Sequence, residues 1–177
     1  MPKSSKEKIA DDEQRIIKEL KTHAKDSISS IAEKCGCSRQ AVWRTIKRLE
    51  ENNTIWGYSA IVDDDKLNQK RYFIFLKRSH NPVSKEIIEA ISTKRLMQET
   101  KDIDVTLEGS YFVHGFTDWM LCITANDITK VKKFCEVLNR LFEEGIIIDM
   151  KILEVLFSIE KNCINNPDME KIVQFFI

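Results

Sequence analysis

Between Ile16 and Leu49 the apolar residues recur every three or four positions, and from Arg71 onward many segments shorten toward a period of two. The chain therefore reads as a helical head followed by a body of mixed strands and helices. In the head, Asp11-Asp12 precedes Ile16, Ile17 and Leu20. The acidic pair suits the positive end of a helix dipole, and the spacing gives the helix one buried face. Asp26-Ser27 opens a second helix with Ile28, Ile31 and Ala32 as its inner face. Gly36 supplies a permissive backbone for a tight turn, and Ser38 is a good N-cap for a third helix. Val42, Ile46 and Leu49 then face inward, which leaves Arg39, Gln40, Trp43, Arg44 and Lys47 facing outward. Thr54 to Val62 is rich in β-formers and predicts a short wing or strand, broken by Asp63-Asp64-Asp65.

The body predicts a β-α-β-β-α-β order. Arg71 to Arg78 is the first strand. Pro82 and Ser84 mark a turn and the start of a helix with Ile87, Ile88 and Ile91 on its apolar face. Strands follow over 103–113 and 118–125, separated by a turn at His114 to Thr117. Asn126-Asp127 caps a helix carrying Val131, Phe134, Cys135, Leu138 and Leu141, with Gly145 past its end, and the last strand covers 146–159. This is the split β-α-β, ferredoxin-like order, with two helices on one face of the sheet. The other face then needs cover, for which a second subunit is the usual solution. The expected fold class is α+β: an N-terminal winged helix-turn-helix joined to a C-terminal ferredoxin-like βαββαβ domain. The boundaries are a flexible lead-in over 1–10, a head over 11–62, a linker over 63–70, a sheet domain over 71–160 and a tail over 161–177. Met169, Ile172, Val173, Phe175 and Phe176 suggest a short apolar helix in that tail, expected to dock on its own domain or on a partner subunit.

Composition narrows the function. Hydrophobic residues make up 42% and charged residues 32% of the chain, as in a soluble globular protein, and no apolar run is long enough to span a bilayer. Residues 1–8 lack the apolar core of a signal peptide, and five cysteines without such a signal fit free thiols in a reducing cytoplasm. Basic and acidic residues balance at 28 each, but the first sixty residues hold 12 Lys and Arg against 9 Asp and Glu. A mildly basic head fits nucleic acid, although ordinary charge scatter gives totals of this size as well.

The segment from Ile28 to Leu49 carries the functional reading. Two short helices joined at Gly36, with Ala32, Gly36 and Val42 as small residue, turn and apolar anchor, match a helix-turn-helix, whose second helix enters the DNA major groove. A plain three-helix core with solvated charged faces is the competing explanation. Arg39, Gln40 and Arg44 suit base edges, because Arg and Gln make bidentate contacts to guanine and adenine. Lys47, Arg48 and Ser38 suit phosphate, and Trp43 suits either packing on the first helix or contact with DNA. Cys35 and Cys37 are too closely spaced for a good zinc pair with His23, so no metal is expected. No phosphate loop, His-Glu-x-x-His or Ser/His/Asp set stands out, and neither an enzyme nor a cofactor is expected.

With these parts in this order, the chain from about Asp11 to Glu160 resembles the Lrp/AsnC (feast/famine) family of prokaryotic transcription regulators. Beside the helix-turn-helix, Ile55-Trp56-Gly57-Tyr58 resembles that family's Ile-x-Gly-Tyr, and Val113 to Trp119 resembles its Gly-Asp-x-Asp turn. The resemblance implies double-stranded DNA as partner, a dimer through the sheet domains that often builds larger oligomers, and an amino acid or other small-molecule effector near Gly115, Phe116, Thr117, Asp118 and Trp119. Gly115 and Asp118 match the turn, whereas Phe116 stands where its first acid lies. That exchange favours a more apolar effector or a subunit contact over capture of an amino group. A weakly specific architectural DNA-binding protein, or an enzyme like the tetrapyrrole decarboxylases that keep a degenerate head, are the alternative readings.

Overall fold

The computed structural model describes residues 5–92, 95–142 and 145–176, and the chain divides into two compact units. One unit takes the residues up to Ile61 together with Ser158 onward; the other is Val62–Phe157.

Three helices build the first unit: α1 (Ser5–Thr22), α2 (Ile28–Cys35) and α3 (Arg39–Glu51). Helix α1 starts within the expected lead-in. Residues 5–10 contain no Gly or Pro, and Glu7 lies in the first turn, where it complements the helix dipole. Ile16, Ile31, Ala32, Cys35 and Val42 form the core, with Leu20, Cys37 and Ile46 packed on it. Leu49 is fully buried, whereas Ile28 is at the exposed edge rather than on the inner face. The segment 54–62 is not a wing strand. Its Ile55 N–H donates to the Leu49 carbonyl, none of its residues joins a strand ladder, and Trp56 is 95% exposed. A strand needs a partner ladder, and β-forming side chains alone do not provide one.

The second unit is a four-stranded antiparallel sheet, β1 (Lys70–Arg78), β2 (Val105–Phe112), β3 (Trp119–Ala125) and β4 (Ile147–Glu154), in the order β2-β3-β1-β4. This is the ferredoxin-like arrangement predicted. Alternation along β1 sends Tyr72, Ile74 and Leu76 to the helix side, where they meet Leu121, Ile123, Val131, Phe134 and Leu138. Helix α6 (Ile128–Leu141) supplies the last three, and its N-cap Asp127 accepts from Thr129 N–H at 2.7 Å and Lys130 N–H at 3.1 Å. Between β1 and β2 lie α4 (Lys85–Ser92) and an additional short helix, α5 (Arg95–Glu99). Ile87 is buried and Ile88 is 54% exposed, while the Ile91 side chain lies outside the described residues.

The linker is more ordered than its charge suggests. Asp65–Leu67 is one 3-10 turn, and the Asp64 carbonyl accepts from Leu67 and Gln69 N–H. The Asp64 carboxylate takes Arg71 Nε at 3.0 Å and Nη2 at 3.1 Å, side-on and bidentate. Arg71 also pairs with Glu108 on β2 and reaches Cys122 Sγ at 3.2 Å. This cluster closes one end of the sheet face opposite the helices. At the other end of that face Phe73 and Phe75 remain half-buried.

The last strand ends at Glu154. Beyond it, β5 (Glu160–Lys161) and β6 (Ile164–Asn165) pair as a hairpin whose two loop residues, Asn162 and Cys163, have φ of 49° and 67°. Two positive φ angles are those of a type I′ turn. The tail then forms a 3-10 helix, Met169–Phe175, with Val173, Phe175 and Phe176 partly exposed.

In the Asp64–Arg71 pair both side chains are nearly out of water (11% and 13% exposed). Asp64→Ala leaves Arg71 with Glu108 and Cys122 and is expected to lower stability by about 1–3 kcal/mol, the cost of a lost hydrogen bond to a charged group. Native-state hydrogen exchange at the β1 and β3 amides checks this. A loss well below about 1 kcal/mol would show that solvent screens the pair.

Candidate nucleic-acid interface

The outward face of α3 follows from how its two ends are held. At the end of α2, Gly36 adopts φ 65°; its N–H bonds the Glu33 carbonyl, and Cys37 N–H bonds the Ala32 carbonyl. This paired closure needs a left-handed residue, and glycine takes it without steric cost. Ala32 and Cys37, which flank the turn, both pack in the core. Two residues later Ser38 Oγ accepts from Ala41 N–H at 3.2 Å and starts α3. From α1, Arg15 Nη1 donates to the Cys35 carbonyl at 2.9 Å and satisfies the end of α2.

With Val42 and Leu49 fixed inward, Ser38, Arg39, Gln40, Trp43, Arg44, Lys47 and Arg48 are all exposed. Their surroundings differ. Arg44 Nε lies 3.4 Å from the Gln40 carbonyl. Lys47 Nζ sits 5.3 Å from the centre of the Trp43 ring and 3.7 Å from Glu51. Arg48 is engaged by Glu13 of α1, so it braces the first and third helices. Trp43 is 51% exposed and lies outside the head core. No local spacing marks the Arg15 and Glu13 braces, which join residues 20 and 35 positions apart.

The second candidate group divides. Gly115 (φ 153°) and Phe116 face solvent, and the Phe116 ring lies 5.6 Å from Phe75 on the open sheet face. Thr117 is buried, with its hydroxyl donating to the Leu76 carbonyl at 2.7 Å. Trp119 is core: it stacks on Phe112 at 5.3 Å, meets Phe142 edge-on, and donates through Nε1 to Ser110 Oγ at 2.9 Å. Asp118 is turned back onto β1, where it accepts from Arg78 N–H at 2.9 Å and pairs with Lys77 at 3.2 Å. The structure thus brings all seven helix candidates to one surface but gives only two of the five turn residues a free face.

Burial pushes the Cys35 and Cys37 thiols up, which disfavours the thiolate form that ligates metals. Among the described residues no group of three or more His, Cys, Asp or Glu is placed to hold a metal ion, and no helix is long and apolar enough to cross a membrane.

A helix-turn-helix family model, described as an HTH domain, matches residues 13–62. An uncharacterized HTH-type transcriptional regulator of Pyrococcus furiosus is 21% identical over 141 residues, which cover 80% of this chain and 86% of that protein. Among solved structures, an AsnC family transcriptional regulator from Agrobacterium tumefaciens superposes with a TM-score of 0.60 at 22% identity, covering 85% of this chain and 92% of that one. A feast or famine regulatory protein from M. tuberculosis, complexed with L-methionine, gives 0.65 at 16% identity over 86% and 95%. Residues 13–62 are a helix-turn-helix domain, and the chain has the fold of these Lrp/AsnC regulators. Within that fold, the residues on α3 stand on the helix-turn-helix matched by the family model, and the Gly115 turn joins β2 and β3.

The turn gives a pH test. The backbone N–H of Arg78, with Lys77 beside it, holds the Asp118 carboxyl below its usual value. A depressed value in the folded state stabilises above the unfolded-state value, about 3.9, and this contribution is lost as pH falls through the folded one. Asp118→Asn keeps an acceptor and removes the charge. Its melting-temperature deficit against wild type is expected to be constant above about pH 5 and to shrink as pH drops further. A deficit that stays constant down through acid would mean that the charge does not hold the turn.

Proposed function

We propose that this chain is a sequence-specific DNA-binding regulator of transcription, acting in the cytoplasm as a homodimer or larger assembly and having no catalysis of its own. One observation carries the reading. Burial of Val42 and Leu49 forces Arg39, Gln40, Trp43, Arg44 and Lys47 onto one exposed strip of the second helix of a helix-turn-helix. Arg39, Gln40 and Arg44 are the base-reading residues in this proposal; Lys47 and Ser38 meet phosphate, and Arg48 does so only by exchanging away from Glu13.

Assembly is supported by the open sheet face. Phe73, Phe75 and Phe116 form an aromatic surface, and Lys77 stands opposite Asp149 in the strand register. A face that carries both charges can pair with its own copy about a two-fold axis. Two heads related by that axis call for a two-fold DNA site, with half-sites about one helical turn or a multiple apart. The L-methionine complex of the M. tuberculosis relative supports a small-molecule effector. Here an effector at the turn would meet Gly115 and the exposed Phe116 ring, because Asp118 is occupied by β1. Such an effector acts by binding one arrangement of the assembly better than another.

Arg44→Ala is expected to weaken binding to the preferred duplex by about 1–3 kcal/mol, with much less effect on random duplex. Fluorescence anisotropy on both duplexes at several salt concentrations measures this. Equal losses on the two would make Arg44 a phosphate contact, and unchanged binding on both would remove it from the interface.

A further inference from the structure

Trp43 is out of place by the rules that built the rest of α3. The head core is complete without it, and its indole stands 51% exposed among Arg39, Gln40, Arg44 and Lys47. It lies four residues after Arg39, three after Gln40 and four before Lys47, so the helix places all four on one strip. Lys47 Nζ, 5.3 Å from the ring centre, covers the indole and brings a positive charge beside it.

The strip therefore offers charged and polar hydrogen-bonding groups around one large apolar surface. In the major groove every base pair presents donors and acceptors, and the thymine C5-methyl is the apolar feature. The thymine O4 beside that methyl is an acceptor, and the indole Nε1–H is a donor only. Trp43 thus matches both halves of the thymine edge. Insertion between bases is a minor-groove device and does not fit a helix lying in the major groove.

Resting on the DNA-reading role proposed above, we infer that Trp43 is a specificity-determining residue that reads a thymine methyl in the major groove, with Lys47 steadying the indole. The readout excludes a general packing role, because it follows a methyl group on the DNA rather than the fold.

The test uses the full chain and a preferred duplex selected from a random pool, with each thymine replaced in turn by uracil, which removes only the methyl. The expected result is a loss of about three- to fivefold at one thymine of each half-site, the effect of one buried methyl. Trp43→Ala should bind the thymine duplex more weakly and show no further loss on the uracil duplex. Trp43→Phe, a gentler change, should restore part of the sensitivity to the methyl. Uracil replacements that have no effect at any position, or a Trp43→Ala protein of unchanged melting temperature that keeps the full penalty, would overturn the assignment. A Trp43→Ala protein that melts early leaves the Trp43→Phe comparison to decide: sensitivity kept in part or in full supports an aromatic reader, and none at all overturns it. A pool that yields no preferred duplex would overturn the sequence-specific reading first, and this assignment with it.

Discussion

The left-handed turn at Gly36 sets which face of α3 is exposed. Both of its backbone bonds return to the last turn of α2, and Ser38 starts α3 only two residues later. So short a connection leaves α3 little freedom to rotate. Val42 and Leu49 must enter the core, and the strip from Arg39 to Lys47 must then face water. A residue with a Cβ at Gly36 would strain the backbone even though the space around it is open. The cost there is conformational and not steric crowding.

The body obeys a different rule. Alternation along β1 commits Tyr72, Ile74 and Leu76 to the core and leaves Arg71, Phe73, Phe75 and Lys77 on the other face. At one end of that face Arg71 gathers Asp64, Glu108 and Cys122 into a nearly dry cluster. Its desolvation is offset by three partners, so the cluster holds the linker to the sheet without exposing a lone charge. At the other end the aromatic rings stay half-open, and there Phe116 extends the surface past the strands. The same turn fixes Thr117 and Asp118 to β1, so its sequence pattern reflects anchoring more than ligand capture.

Much of this was legible in the residues. Helical spacing in Val42, Ile46 and Leu49, the caps at Ser27, Ser38 and Asp127, and the period of two in β1 all signal local structure, and each appears where it points. The β propensity of Ile55 to Val62 predicts a wing that does not form, because propensity says nothing of whether a partner strand exists. Trp119 sits in the core against Phe112 and Phe142, which no local pattern ties to it. The braces from Glu13 and Arg15, and the clasp on Asp64, link residues distant in sequence or hidden in a charge run. Charged residues carry no period that marks which of them will meet.

In the proposed function one exposed helix strip, doubled by a two-fold axis, reads DNA. Hydroxyl-radical footprinting of the full chain on its selected duplex is the decisive measurement. Two protected patches are expected on one face of the duplex, centred about 10 base pairs or a multiple of that apart. A single protected patch, or even protection along the whole duplex, would contradict it.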